Sequence, residues 1–67
     1  MAKIQLNGKK IKIKANFSIF DLLKKYKLAN KKIALELNGK IIPKIYYKKR
    51  HLKNEDRVEI VHFIGGG

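Results

Sequence analysis

From Lys3 to Lys14 apolar and polar residues alternate, with Ile4 and Leu6 in one half and Ile11 and Ile13 in the other. A period of two predicts a pair of half-buried strands. Two hairpin registers compete. With Gly8-Lys9 central, Leu6 faces Ile11 and Ile4 faces Ile13, and glycine at the first central position suits a type II′ turn. With Asn7-Gly8 central, Leu6 faces Lys9, Ile4 faces Ile11, and Ile13 lies beyond the pair. The first register matches more apolar partners and is the expectation.

The period then changes. Ser18 and Asp21 form an S-x-x-D capping box, with Phe17 placed to staple onto Leu22. Ile19, Leu22, Leu23 and Tyr26 follow at i, i+3, i+4, i+7, the spacing of a helix with one buried face. Lys24, Lys25 and Lys27 sit at its C-terminal end, where positive charge complements the helix dipole. Phe20 lies off the stripe and is expected to be partly exposed. Ile33, Leu35 and Leu37 alternate again, Asn38-Gly39 is a strong hairpin signal, and a short strand over 40–42 stops at Pro43, which has no N–H to donate. Residues 44–56 are irregular or hold one helical turn, with Leu52 as core anchor. Arg57 to Ile64 is the last strand: Val58 and Ile60 share one face, and Val61 and Phe63 the other.

The order is β-β-α-β-β-β. A parallel connection between the first and last strands leaves the last one central, which agrees with its apolar character on both faces. The expected class is α+β, a β-grasp: a mixed sheet wrapped on one face around a single helix. Residues 1–64 form this domain and 65–67 a flexible glycine tail.

Composition narrows the function. The chain has 67 residues, no cysteine and a hydrophobic fraction of 45%. That is one thin-cored domain, without thiolate chemistry or room for a deep catalytic cavity, so a free-standing enzyme is not expected. No apolar run approaches the roughly 20 residues of a membrane span, and no signal peptide is evident, which gives a cytoplasmic expectation. The net charge of +12 suggests a polyanion. Yet Lys outnumbers Arg 15 to 2. Lys, Ile and Asn share AT-rich codons, and selection for phosphate recognition favours the bidentate Arg fork. The charge is read mostly as a lysine-rich surface whose partner should be acidic.

Gly65-Gly66-Gly67 brings no packing but reaches about 10 Å past the sheet, thin enough for a channel that side chains would block. Such a tail delivers a carboxylate. Activated as a mixed anhydride, it can be attacked by sulfur to leave a thiocarboxylate, with no catalytic residue from this chain. Judged alone, three glycines are equally a frayed end.

The stretch IALELNGKIIPKIYYKKRHLKNEDRVEIVHFIGGG (Ile33 to Gly67) resembles the ThiS family, the bacterial sulfur carriers of thiamine thiazole biosynthesis. The matching pieces are Ala34 to Gly39, Ile41-Ile42-Pro43, and Leu52 to Val61 ahead of the glycines. The helix segment Ser18 to Leu23 also fits. The resemblance implies a ubiquitin-like β-grasp fold. It implies that Gly67 is adenylated by an ATP-dependent adenylyltransferase, receives sulfur from a sulfur-donating enzyme, and docks on thiazole synthase. No cofactor would be bound by the chain itself. Glu55 stands where the family has glycine, so Asn54 is expected to take the left-handed conformation. Tyr47 stands where Trp is common.

Other readings remain beside this one. Lys44, Tyr46, Tyr47, Lys48, Lys49 and Arg50 interleave aromatics with cations, as a single-strand-binding surface does. The blander account packs one Tyr under a loop and leaves the lysines in solvent. His51 and His62 lack a third ligand for a metal site. Val61 and Phe63, facing outward, are the candidate docking patch, with Phe20 as a further candidate. His62, beside the tail, is a candidate contact for the activating enzyme. Carriers for molybdopterin synthesis or tRNA thiolation are the related alternative.

Overall fold

The last strand in sequence sits in the middle of the sheet. The computed structural model describes residues 1–62. They form β1 (Ala2–Leu6), β2 (Lys9–Ile13), α1 (Ile19–Lys25), β3 (Ile33–Leu37), β4 (Lys40–Ile41) and β5 (Arg57–His62), with a single 3₁₀ turn over Lys44–Tyr46. The sheet order is β2-β1-β5-β3-β4. β1 and β5 are parallel, and the other neighbours are antiparallel. This is the β-grasp expected from the element order, with β5 central. Phe63 and Ile64, expected to finish that strand, and Gly65 to Gly67 lie outside the described residues.

One layer of side chains fills the space between sheet and helix. Ile4 from β1, Ile19, Leu22 and Leu23 from α1, Leu35 from β3 and Val58 from β5 are fully buried. Leu52 anchors the 44–56 segment in the same core, as expected. Tyr47 joins it and is only 6% exposed.

The first hairpin takes the register the apolar count disfavoured. Ala2 faces Ile13, Ile4 faces Ile11 and Leu6 faces Lys9. Asn7 and Gly8 are the two turn residues, at φ 49° and 85°. That is the type I′ geometry, which needs two positive φ values and which Asn-Gly supplies at low strain. The shift is two residues, so the apolar side chains keep their face, and Ile13 finds Ala2 at a strand start one residue earlier than the pattern suggested. Asn7 then ties the turn to the central strand. Its amide oxygen accepts from the Ile60 N–H at 2.7 Å, and its amide nitrogen donates to the Ile60 carbonyl at 3.3 Å. Asn38 repeats the device at the second Asn-Gly turn: it accepts from the Arg57 N–H at 2.8 Å and donates to the Asp56 carboxylate at 3.0 Å.

The helix starts as expected and ends sooner. The Asp21 N–H donates to Ser18 Oγ and the Ser18 N–H donates to the Asp21 carboxylate, both at 3.0 Å. At the other end Tyr26 is the C-cap and Lys27 turns left-handed at φ 60°. The Leu28 N–H reaches back to the Leu23 carbonyl at 2.7 Å and the Lys27 N–H to Lys24 at 3.1 Å. This pair of bonds is a Schellman motif built without glycine. It takes Tyr26 off the buried stripe, leaving it 41% exposed.

Candidate functional site

The face of the sheet away from α1 is open among the described residues, and β5 runs along its centre. Residues Arg57, Glu59 and Val61 alternate with the inward Val58 and Ile60 and so point to this face. Val61, opposite Ala34 of β3, is 58% exposed. Glu59 faces Glu36 of β3, and Glu36 faces Ile41 of β4. Ile41 is 71% exposed. These side chains line a shallow depression of about 310 Å³, with Asn7 at its rim. It is a surface hollow on the strand that leads towards the C-terminal glycines.

The three docking candidates among the described residues do not form one patch. Val61 lies on the open face. His62 is exposed on the opposite side of β5, paired with Ile33. Phe20 is half-buried on α1, and its ring already carries the ammonium groups of Lys48 at 4.8 Å and Lys24 at 5.6 Å from its centroid. Phe63 and the carrier candidates Gly65, Gly66 and Gly67 fall outside the described residues. Ile41 was missed, although its signal was available. Asn38-Gly39 as turn centre sets Lys40 opposite Leu37 and sends Ile41 outward beside Glu36.

The aromatic-cation run separates in the same way. Tyr47 is buried, and burial raises its phenol above the ordinary value of 10.0. Its carbonyl accepts the Phe20 N–H at 2.9 Å, so the residue fastens the loop to the helix. Only Tyr46 of the pair is exposed, which removes the stacked platform and supports the packing account. Ser18 is occupied by capping and by an isolated bridge to His51. Among the described residues no three His, Asp or Glu side chains gather as a metal site, and no helix is long and apolar enough to cross a membrane.

Glu55, and not Asn54, takes the left-handed conformation, at φ 75°. Asn54 is engaged elsewhere: its amide oxygen accepts the Lys3 N–H at 2.8 Å while the Glu55 N–H donates to the Lys3 carbonyl at 2.7 Å. The turn thus extends the β1–β5 pairing, and its register assigns the positive φ to position 55.

Comparison with known proteins agrees with this geometry. The ThiS family model matches residues 4–67. Sulfur carrier protein ThiS of Bacillus subtilis (strain 168) is 48% identical over 65 residues, covering 96% of this chain and 98% of that one. A thiazole synthase of Paramagnetospirillum magneticum is 35% identical over 65 residues, which are 97% of this chain and 20% of the synthase. The crystal structure of thiamine biosynthesis protein ThiS from Geobacter metallireducens superposes with a TM-score of 0.82 at 28% identity, covering 97% of this chain and 99% of that one. With its fold, its near full-length relative and a family match that omits only the first three residues, the chain belongs to the ThiS family.

Proposed function

We propose that this protein is a sulfur carrier for thiamine thiazole formation, with the Gly67 carboxylate as the carrying group. The observation that supports it most is the near full-length, 48% identity to a protein named for that role. The family match runs through Gly67. Residues 1–64 serve as the body and 65–67 as the tail. Phe63 to Gly67 span at most about 17 Å from the end of the described strand, enough to enter a partner's channel.

The chemistry takes place on partners. A carboxylate resists substitution because oxide is a poor leaving group. An ATP-dependent adenylyltransferase lets a carboxylate oxygen attack the α-phosphate of ATP and releases pyrophosphate. A persulfide on a sulfur-donating enzyme then displaces AMP to give an acyl disulfide, and a second thiol attacks the donor's sulfur, forming a disulfide with it and releasing the thiocarboxylate. The occurrence of a matching segment within a thiazole synthase chain supports thiazole synthase as the recipient over the molybdopterin and tRNA alternatives. ATP is consumed by the partner and is not a cofactor of this chain.

Incubation with the adenylyltransferase, ATP and the sulfur donor, followed by intact mass measurement, tests the proposal. The expected product has one sulfur in place of one oxygen, localised to Gly67. An unchanged mass with active partners refutes it. One residue added after Gly67 should abolish the conversion, because the activated carboxylate is displaced from its reach.

A further inference from the structure

The open sheet face is divided by charge in a way the net charge hides. Along β5 towards the C-terminus its outward residues are basic, acidic and apolar in turn: Arg57, Glu59, Val61. The neighbouring strands divide between the two ends, with lysines on β1 and β2 and a carboxylate and an apolar side chain on β3 and β4. Arg57 faces Gln5, which faces Lys10, and Lys3 faces Lys12. Lys3, Gln5, Lys10 and Arg57, together with Glu55, line a second hollow of about 330 Å³, in which cations outnumber the one carboxylate. Two residues further along β5, Glu59 faces Glu36 and then Ile41. Two of the chain's five carboxylates are thus directly opposed on adjacent strands, a placement that costs stability. They flank the exposed Ile41 and Val61. In salt solution charges are felt within roughly 8–10 Å, so a partner at Val61 meets these carboxylates before it meets the surplus of lysine.

We infer that this face docks the thiazole synthase through a matched polarity: a basic side chain of the synthase between Glu36 and Glu59, its aliphatic stem over Ile41 and Val61, and acidic side chains over Lys10 and Arg57. The inference rests on the proposed carrier role and refines it. The partner's surface is not uniformly acidic; it carries positive charge where the apolar contact forms. The order along β5 also fixes the direction of docking, because a reversed approach sets like charges together at both ends. A second copy of this chain could satisfy the same polarity, but it would bring a further twelve positive charges against the first. The apolar area of Ile41 and Val61 is small for that task.

Titration of the synthase from the same organism with this protein, at low and high salt, tests the docking. Glu36→Gln with Glu59→Gln should weaken binding about tenfold or more at low salt, and Lys10→Gln with Arg57→Gln should do the same. Both losses should shrink at high salt while the melting temperature shows an intact fold. Lys27→Gln with Lys31→Gln, off this face, is the control for net charge. Equal affinity in all variants, or a loss no larger than the control's, overturns the inference. So does a dimer in sedimentation at low salt that the Glu36→Gln, Glu59→Gln variant abolishes. Thiocarboxylate formation is measured in parallel. If it proceeds while affinity ignores the substitutions, the docking polarity is wrong and the carrier role stands. If it fails in the wild type while binding still follows the charges, the carrier role is wrong and the docking stands.

Discussion

Among the described residues five other than glycine hold a positive φ: Asn7, Asn16, Lys27, Asn38 and Glu55. Three are asparagine, the side chain that tolerates this region best after glycine. Lys27 and Glu55 are not, and each stores strain of about 1–2 kcal/mol relative to glycine. Glu55 is exposed, and its described bond is made by its own N–H, which glycine keeps. Glu55→Gly should therefore stabilise the domain by about 0.5–1 kcal/mol, after the greater unfolded-chain entropy of glycine is subtracted. In a domain this small that is a rise of about 2–8 °C in melting temperature, measurable by circular dichroism. A lower melting temperature would mean that the Glu55 side chain makes a contact that outweighs the strain. Asp56 behaves in the opposite way. It is buried, accepts the Lys53 N–H at 2.8 Å and the Asn38 amide at 3.0 Å, and joins the turn to the second hairpin. Asp56→Ala strands two donors and should cost about 2–3 kcal/mol, read as a lower urea midpoint at unchanged slope.

At the scale of the elements, signals carried by local chemistry were legible and those settled by competition were not. The capping box, the second Asn-Gly hairpin and the stop at Pro43 each follow from residues a few positions apart, and the central place of β5 from the order of the elements. The first hairpin set apolar pairing against turn chemistry. Pairing two large apolar residues lost to the two positive φ values that Asn7-Gly8 adopts readily, because a two-residue slip along β2 keeps every side chain on its own face. The helix end was hidden because its left-handed position holds Lys27, and no glycine marks it. Alternation along β5 already separates Val61 from His62, which was a candidate for its place beside the tail; that lysines cover Phe20 is a contact the helical stripe does not show. The cap is open to test by pH. The Ser18 N–H holds the Asp21 carboxyl below its ordinary 3.8, helped by the Ser18 hydroxyl, opposed in part by desolvation, and helped least by Lys24 and His51. A carboxyl whose folded value is lowered contributes stability above its unfolded value and loses it as pH falls through the folded one. Between about pH 5 and pH 2 the wild type should lose more stability than Asp21→Asn, whose amide does not titrate. Parallel pH curves for the two proteins would exclude the contribution.

On the whole molecule the +12 charge acts on folding and on docking with opposite signs. The compact state holds seventeen cationic and five anionic side chains closer together than the unfolded chain does, so self-repulsion destabilises it and salt relieves that repulsion. Docking on the thiazole synthase draws on the attraction between the divided face and a complementary one, and salt weakens it. Raising sodium chloride from about 0.02 M to about 0.3 M shortens the screening length from roughly 20 Å to under 10 Å. Over that range the melting temperature of the free protein should rise by a few degrees while its affinity for the synthase falls. The lysines of the rest of the surface set the first effect, and the polarity of the open face the second. Glu36→Gln with Glu59→Gln should therefore flatten the salt dependence of binding and leave the salt dependence of melting nearly as steep. If melting and binding respond to salt in the same direction, the lysine-rich surface is not repelling itself in the folded state, and its charge is already balanced by paired or bound anions.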